Sequence, residues 1–299
     1  MKPDFKSLAI EDKEDVLRIL QKRKSNSFSQ TFASYFLWAE EHKTKACIND
    51  DILYIKYDLD LPKYEMPRGA ASDGELKSAL GFIFQDAKIS GNGQGFQFTR
   101  LLVDEAEKLE ELFPEKFEID PVRDDFEYIY SASDLADLKG KKYHSKRNHI
   151  AKFTKNHDWE YTPLDIRQKD VYFDFFEEWF KSRSNSNPNE LVAISKALQF
   201  YDELAMQGAA IVVDGRIVAC TIGEKINSDT FLVHFEKALP EFAEAYAVIN
   251  NRFCKSIVED GYKFVNREED LGIEGLRKAK LSYCPCTLLE KYDATLKKQ

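Results

Sequence analysis

Apolar residues recur at helical spacing near the start of the chain and at strand-like spacing soon after it. Residues 10–23 carry an apolar stripe and predict an amphipathic helix, and a second helical region follows at residues 32–38. The period then changes. Residues 47–48 and 52–55 flank an Asn-Asp turn, which predicts two strands joined as a β-hairpin.

The remainder of the first 120 residues alternates between helix and strand. Residues 76–88 and 104–112 have the spacing of helices, with a short strand predicted at 96–98 between them. A Gly-rich breaker at 90–93 separates the first of these helices from the strand. Alternating elements of this kind indicate an α/β layer structure.

The second part of the chain repeats this alternation more clearly. Its predicted helices are residues 143–156, 171–183, 190–207 and 245–260, and its predicted strands are residues 126–130, 159–164, 209–213, 216–224, 230–236 and 263–266. The polar stretch beginning at Pro121 lies between the two parts. We therefore expect two domains, residues 1–120 and residues 121–299, which is also what a 299-residue chain favours.

Composition and charge narrow the classes of protein. The net charge of -9 argues against a protein that binds nucleic acid or membrane surfaces as a whole, so any polyanion would need a local basic patch. No apolar stretch reaches the ~18 residues of a membrane helix, and the N-terminus lacks the apolar core of a signal peptide. We therefore expect a cytoplasmic location.

Five scattered cysteines argue against a disulfide framework. Cys284 and Cys286 are separated by one residue, and no second Cys or His pair accompanies them at zinc spacing. We expect no metal site.

The segment 264–285 carries the densest candidate chemistry. A predicted strand runs into an acidic cluster of Glu268, Glu269 and Asp270, whose carboxylates could accept protons or hold an ammonium group. Basic residues that could hold phosphate or carboxylate flank this cluster: Arg267, Arg277, Lys278 and Lys280. The alternative interpretation is a solvated loop with internal salt bridges.

Two further features are candidates for chemistry. The segment between Asp137 and Asp158 contains no acidic residue and several basic ones, Lys146 and Arg147 among them. It could meet an anionic partner, or it could be an ordinary solvated helix face. In the strand at 230–236, alternation would place His234 and Glu236 on one side, as a proton-accepting pair or as structural side chains.

The run Asn266-Arg267-Glu268-Glu269-Asp270-Leu271-Gly272, followed by 276–285 with its Leu-Arg-Lys-Ala-Lys-Leu-Ser-Tyr-Cys-Pro sequence, resembles a family signature. The family is that of the phosphatidylglycerol lysyltransferase C-terminal domain, and residues 138–150 and 27–38 resemble it further. The resemblance implies an α/β (α+β) fold of two tandem GNAT-like domains, each a mixed twisted sheet flanked by helices. It also implies substrate-binding roles for Asn266 and Tyr283. The best-known members transfer an aminoacyl group from tRNA to a lipid head group.

Two departures from related proteins matter. Membrane-bound relatives carry transmembrane helices, which this chain lacks, so a lipid acceptor is in question. GNAT enzymes that use acetyl-CoA hold its pyrophosphate on a Gly-rich turn, but residues 240–246 here contain no glycine and two glutamates. Glutamates would repel pyrophosphate, which weakens the case for conventional acetyl-CoA binding.

These observations favour an acyl- or aminoacyl-transferase that moves an activated acyl group to an amine or hydroxyl acceptor. Glu269 and Asp270 would serve the acceptor, His234 would be a second base, and the donor's anionic part would meet the basic side chains Arg277, Lys278 and Lys280. The donor would be aminoacyl-tRNA, with tRNA as a partner, or a small acyl-CoA. Two alternatives stay open: a CoA-thioester-dependent N-acyltransferase and a catalytically silent ligand-binding module. The sequence leaves the oligomeric state open.

Overall fold

A computed structural model describes residues 4–90, 95–183 and 187–297 of the chain. Within these residues the strands form two mixed seven-stranded sheets, with helices on both faces of each. This confirms the predicted α/β class with tandem mixed sheets. The glycines of the predicted breaker at 90–93 lie outside the described residues.

The strands, in chain order, are β1 (Lys6–Ser7), β2 (Thr44–Asn49), β3 (Ile52–Tyr57), β4 (Lys63–Tyr64), β5 (Gln97–Leu101), β6 (Phe117–Pro121), β7 (Glu127–Ser131), β8 (Trp159–Pro163), β9 (Gln207–Val213), β10 (Arg216–Lys225), β11 (Thr230–Ala238), β12 (Phe264–Asn266), β13 (Thr287–Leu289) and β14 (Tyr292–Leu296). The α-helices are α1 (Lys13–Leu20), α2 (Phe32–Phe36), α3 (Asp73–Ser90), α4 (Val103–Leu112), α5 (Ala132–Asp137), α6 (His144–Asn156), α7 (Lys169–Lys181), α8 (Pro188–Gln199), α9 (Ala245–Glu259) and α10 (Glu274–Leu281).

The first sheet has the strand order β1-β2-β3-β4-β5-β14-β6. Helices α3 and α4 pack on one face, through Leu80, Ile83 and Leu109 among others, and α1 and α2 pack on the other. The last strand of the chain, β14, pairs antiparallel with both β5 and β6. The division into domains at residues 120 and 121 stays a prediction. The first sheet includes β14, which comes from the second part of the chain.

The second sheet has the order β13-β7-β12-β11-β10-β9-β8. The predicted hairpin at its centre is β9–β10, whose turn residues Asp214 and Gly215 both have positive φ, as a tight two-residue turn requires. Helices α5, α6 and α9 cover one face, and α7 and α8 cover the other.

One continuous apolar cluster joins the two halves of the molecule. It contains Leu20 of α1, Phe36 of α2, Phe176 of α7 and Leu198 of α8, which lie between the two sheets. The contact between the sheets is therefore built like a protein core, in which close packing resists sliding. A cavity at this contact has walls held by both halves.

Several elements differ from the sequence predictions. The helix predicted over residues 190–207 ends at Gln199, where Phe200 leaves the helical conformation, and a turn through the left-handed Ala205 then leads into β9. Five strands were not predicted: β1, β4, β6, β13 and β14. The short helix α5 was also missed. All of these are short or lie at sheet edges except β14, and their apolar periods span too few residues to detect.

None of the helices in the described residues combines the length and the apolar character that crossing a bilayer requires. Nor do the described residues gather three or more His, Cys, Asp or Glu side chains as metal ligands.

Candidate functional site

The second sheet opens where two of its strands part. Strands β11 and β12 run parallel and pair only from Thr230↔Phe264 to Leu232↔Asn266. Beyond that point β11 continues to Ala238 while β12 ends and the chain turns away. Side chains from the open part of β11 and from the segment after β12 can therefore meet across a gap that no backbone hydrogen bonds close.

A β-bulge at the opening aims one side chain into the gap. Ile222 pairs with Phe235 and Gly223 pairs with Val233, so His234 is the extra residue on β11. Gly223 makes this approach possible, because a Cβ added there would lie 2.0 Å from the Leu232 carbonyl oxygen. A bulge of this kind is a common way to re-aim a side chain beside a functional site.

A cavity of about 700 Å³ lies at this opening, between the two sheets. The first half of the chain contributes aromatic and basic side chains to its wall, including Phe28, Trp38, His42 and Arg100. The second half contributes side chains that are mostly charged, including Trp179, His234, Glu236, Lys237, Arg267, Glu268, Glu269 and Lys280. The cavity is large enough for a small-molecule substrate, and its wall combines apolar surface with a few converging polar groups, as ligand sites do.

His234 is clamped between two carboxylates. Its side chain is fully buried, and its two ring nitrogens lie 2.9 Å from Glu224 Oε1 and 2.9 Å from Glu268 Oε1. Burial disfavours the charged ring, but the two carboxylates outweigh it and raise the pKa of His234 to about 10. At neutral pH the ring is an imidazolium that donates from both nitrogens. In this state it has no lone pair with which to act as a base, so its arrangement favours holding Glu268 across the gap.

A second ion pair bridges the same opening. Arg267, just after β12, donates to Glu236 of β11 at 2.6 Å, and Asn250 donates to the other Glu236 oxygen at 3.1 Å. The guanidinium also lies over the rings of Tyr130 and Tyr283, at 5.6 and 4.8 Å from their centroids. His234 and Glu236 both line the cavity, but His234 reaches it from the bulge, so simple alternation along β11 does not account for its direction.

Glu269 differs from its acidic neighbours. It lines the cavity, and among the described residues no other side chain donates a hydrogen bond to its carboxylate. Burial and the adjacent charge of Glu268 raise the pKa of Glu269 to about 7, against the opposing effect of Arg100 and Lys280. A carboxyl group with a pKa near neutrality can both accept and return a proton.

Lys280 holds the acidic segment in place. Its ammonium group donates to the backbone carbonyls of Arg267 and Glu269, and burial lowers the pKa of Lys280 to about 8. Glu268 lies between those two residues with a φ of 56°, a left-handed conformation that is strained for a glutamate. The lysine thus fixes a strained turn whose side chains face the cavity.

Asp270, next to Glu269, points elsewhere. It is completely buried, accepts hydrogen bonds from Tyr128 at 2.5 Å and from Arg277 at 2.7 and 2.9 Å, and is not part of the cavity wall. Burial opposes its ionisation, but Arg277 and Tyr128 hold the pKa of Asp270 well below its usual range. Arg277 also pairs with Asp124, so both charges of this pair are engaged within the protein.

Asn266 joins the two halves of the molecule beneath the cavity. Its amide donates to the Asn26 carbonyl and to Glu127, and its oxygen accepts from the Glu268 N–H at 2.7 Å. Glu127 is also paired with Lys291 at 2.6 Å, and both of these side chains are almost fully buried. This arrangement indicates that Asn266 positions the acidic turn.

The other predicted binding residues are spread over the surface around α6 and α10. Lys146 lies 3.8 Å from the centroid of the buried Tyr283 ring, and burial and Arg267 lower the pKa of Lys146 to about 8. Arg147 donates to the carbonyls of Leu138 and Gly140. Lys278 is exposed on α10. The structure therefore brings Arg267, Lys280, Glu269 and His234 together in the cavity wall, and leaves Lys278 outside it.

Sequence reasoning missed the wall contributed by the first half of the chain. Trp38, His42 and Arg100 reach the cavity, and burial together with Arg100 lowers the pKa of His42 to about 4. Trp38 and His42 follow α2 and Arg100 belongs to β5, and the spacing of the residues around them does not separate them from structural residues. Only the packing of one sheet against the other places them at the site.

The turn before α9 contains the two glutamates singled out in the sequence. Glu241 pairs with Arg216 at 2.9 Å, and Glu244 pairs with Lys152. Glu241 lies in the turn before α9, and Glu244 is the N-cap residue of that helix. An enzyme that binds pyrophosphate would present free backbone N–H groups there. This position is poorly suited to a polyphosphate.

The family model for the C-terminal part of phosphatidylglycerol lysyltransferase matches residues 18–295. A search of curated proteins found no match.

Among solved structures, the chain is similar to a conserved protein of unknown function from Bacteroides thetaiotaomicron, with 38% identity, a TM-score of 0.90 and coverage of 99% of this chain and 100% of that chain. L-PGS from Bacillus licheniformis has 14% identity and a TM-score of 0.66 over 96% of this chain and 92% of that one. A tandem GNAT protein from the clavulanic acid biosynthesis pathway has 8% identity and a TM-score of 0.53 over 98% of both chains. The last two similarities establish the fold alone.

Proposed function

The chain belongs to the family of the phosphatidylglycerol lysyltransferase C-terminal domain, and from this premise we propose that it transfers an acyl or aminoacyl group to an amine. The observation that carries the proposal is Glu269, a cavity-facing carboxyl group with a pKa raised to about 7. Family membership supports the reaction class, and the position of Glu269 supplies the group that the reaction needs. The acceptor and the donor are parts of the proposal.

In the proposed reaction the amine nitrogen attacks the carbonyl carbon of an activated ester. A C–N bond forms and the ester C–O bond breaks, while the amine proton passes to Glu269 and then to the leaving oxygen. General base catalysis of this kind contributes about 10²- to 10⁴-fold to a rate. A single carboxyl group suffices for both transfers because its pKa lies near the working pH.

The acceptor amine would be held by the acidic wall around Glu269, and basic side chains of the second half of the chain would face the donor. Asp270 and Arg277 would act by positioning the turn, since each is engaged with the other. His234, doubly hydrogen-bonded and protonated, would hold Glu268 in place. These roles refine the sequence predictions for residues 266–283, which assign both Glu269 and Asp270 to the acceptor.

The donor would be an aminoacyl-tRNA or an acyl-CoA, and the turn before α9 favours the first. Glu241 and Glu244 occupy the position where pyrophosphate would bind. A purely binding role for the cavity would give ligand binding without turnover. A screen of aminoacyl-tRNA and acyl-CoA donors against amine acceptors, read by mass spectrometry, separates these cases.

The decisive variant is Glu269→Gln, which keeps the shape of the side chain and removes its basicity. We expect the transfer rate to fall about 10²-fold or more, and the wild-type rate to rise as pH increases through about 7, because the carboxylate is the active form. Glu274→Gln on exposed α10 is the matched control and should retain full activity. Wild-type turnover by Glu269→Gln would exclude the proposed base.

A further inference from the structure

Arg100 is the least expected member of the cavity wall. It belongs to β5 in the first sheet, and it adopts a φ of 56°, a left-handed conformation that a strand residue other than glycine rarely takes. Such conformations cost about 1–3 kcal/mol and persist where the surrounding structure enforces them, often at functional sites. Here the conformation delivers a guanidinium group from the first sheet to the cavity.

The guanidinium is held rigidly. Its Nη1 donates to the Tyr57 hydroxyl at 2.8 Å, and it lies over the rings of Phe28 and Tyr57, at 5.3 and 5.1 Å from their centroids. The Tyr57 hydroxyl in turn donates to Glu65 at 2.6 Å, and Tyr35 donates to the other Glu65 oxygen at 2.8 Å. A chain of buried hydrogen bonds therefore fixes the direction of Arg100.

The Arg100 guanidinium has no carboxylate in direct contact among the described residues. In the part of the chain that the structure describes, no carboxylate oxygen lies within 4.0 Å of Arg100, whereas its partly or fully buried counterparts Arg68 and Arg267 each have one. Glu65, Glu269 and Asp125 act on it at longer range, Glu65 being linked to it through the Tyr57 hydroxyl. Burial opposes the charge of Arg100, but the surrounding groups outweigh it and raise the pKa of Arg100, so the group stays a cation. It therefore faces the cavity with no carboxylate in direct contact among the described residues, and an anionic ligand would supply that contact.

We propose that Arg100 binds an anionic group of the acceptor, a carboxylate or a phosphate, while the amine of the same molecule lies at Glu269. This inference rests on the proposed function and names the acceptor class: a small molecule that carries both an amine and an anionic group. Arg100 and Glu269 line one cavity and each affects the ionisation of the other, so a single small molecule can reach both. A planar guanidinium is suited to bidentate binding of either anion.

The test begins with binding, because binding needs no knowledge of the donor. Trp38 and Trp179 line the cavity, so intrinsic tryptophan fluorescence reports its occupancy. Inorganic phosphate, acetate and, as a neutral control, acetamide are titrated separately into the wild type and into Arg100→Gln, Arg100→Lys and Arg216→Gln. Arg216 is half-exposed and lies outside the cavity, paired with Glu178 and Glu241, which makes it the matched arginine control.

We expect saturable binding of phosphate or acetate, but not of acetamide, to the wild type and to Arg216→Gln. Arg100→Gln should bind at least tenfold more weakly, and Arg100→Lys should lie between them because it keeps the charge but loses the planar fork. The anion that binds the wild type more tightly, phosphate or acetate, identifies the anionic group of the acceptor as a phosphate or a carboxylate. Equal binding by Arg100→Gln and the wild type, or no saturable binding of either anion to the wild type, would overturn the inference.

Kinetics separate this inference from the proposed function. With an active donor and acceptor pair, Arg100→Gln should raise KM for the acceptor at least tenfold and change kcat less, and the effect should be absent for an acceptor amine without an anionic group. Transfer by the wild type with an unchanged acceptor KM in Arg100→Gln would reject the role of Arg100 and leave the transferase intact. Anion binding without any transfer would leave the Arg100 site in place and remove the transferase.

Discussion

The protonation state of His234 is open to a direct test that needs no substrate. Its two ring nitrogens each lie 2.9 Å from a carboxylate, which raises the pKa of His234 to about 10 from an ordinary value of 6.5. We expect the ring in the folded protein to stay doubly protonated at pH 8. Two-dimensional ¹H–¹⁵N NMR of the imidazole groups across pH 6–9 measures this, with His234→Gln assigning the signal.

The same shift has a consequence for stability. Since the pKa is higher in the folded than in the unfolded protein, the stabilisation is complete below pH 6.5 and is lost as pH rises towards 10. Between these values the group should lower the free energy of unfolding by about 1.4 kcal/mol per pH unit. The pKa values of Lys146 and Lys280 are lowered to about 8, which opposes this trend above pH 8, and that of Glu269 lies at about 7. The titration of His234 therefore dominates the pH dependence of the free energy of unfolding between pH 7 and 8.

Urea denaturation of the wild type and of His234→Gln at pH 7.0, 7.5 and 8.0 provides the second measurement. The stability difference between the two proteins should shrink by about 1.4 kcal/mol across this interval. The comparison with the variant removes contributions from other groups. A His234 ring that titrates near pH 6.5 in the NMR experiment, together with a constant stability difference, would refute the clamp as described.

Three further predictions concern the β-bulge, helix α3 and the basic groove between α6 and α9. Gly223→Ala should destabilise the protein by about 1–3 kcal/mol, because the added methyl group meets the Leu232 carbonyl. Gly81→Ala in α3, where nothing lies within 4 Å, should raise stability by about 0.5–1 kcal/mol in the same melts. If the donor is a tRNA, Lys155→Glu with Lys255→Glu, in the groove between α6 and α9, should weaken RNA binding and flatten its salt dependence, while Lys169→Glu on the other side of the second sheet should not. An absence of RNA binding by the wild type at ~50 mM salt would remove the tRNA-dependent donor.

Sequence periodicity was sufficient for the elements that are long and amphipathic. The central hairpin, α6, α7 and α9 lie close to their predicted bounds, because each buries a face whose pattern extends over many residues. The segment 266–283 was also recognisable, since its charges and glycines follow one another along the chain. The sequence could not reveal the direction in which each of these side chains points. Glu269 and Asp270 are neighbours of similar chemistry, yet one faces the cavity and the other is enclosed by Arg277 and Tyr128.

The share of the site that comes from the first sheet lay beyond sequence reasoning for a different reason. Arg100 is separated from Glu269 by more than half of the chain, and its role depends on a backbone conformation that nothing in the surrounding Thr99 and Leu101 suggests. Nothing near Lys291 in the sequence indicates that its side chain is buried. Lysine is an unusual residue for a core, and only the distant Glu127 and Ser27 make its burial possible.

The position of β14 has a consequence for how the protein is made. Residues 292–296 fill the space between β5 and β6, so β6, whose one partner among the described strands is β14, has no neighbour until residues 292–296 have been synthesised. A nascent chain that has been synthesised only as far as β6 therefore lacks the strand that joins β5 to β6, and about 170 residues separate β6 from that strand. Because Lys291 directly precedes β14, the segment that completes the first sheet also supplies the partner of Glu127. A nascent chain stalled before this point would carry every residue of the cavity wall described above but would lack the strand that closes the sheet beside Arg100.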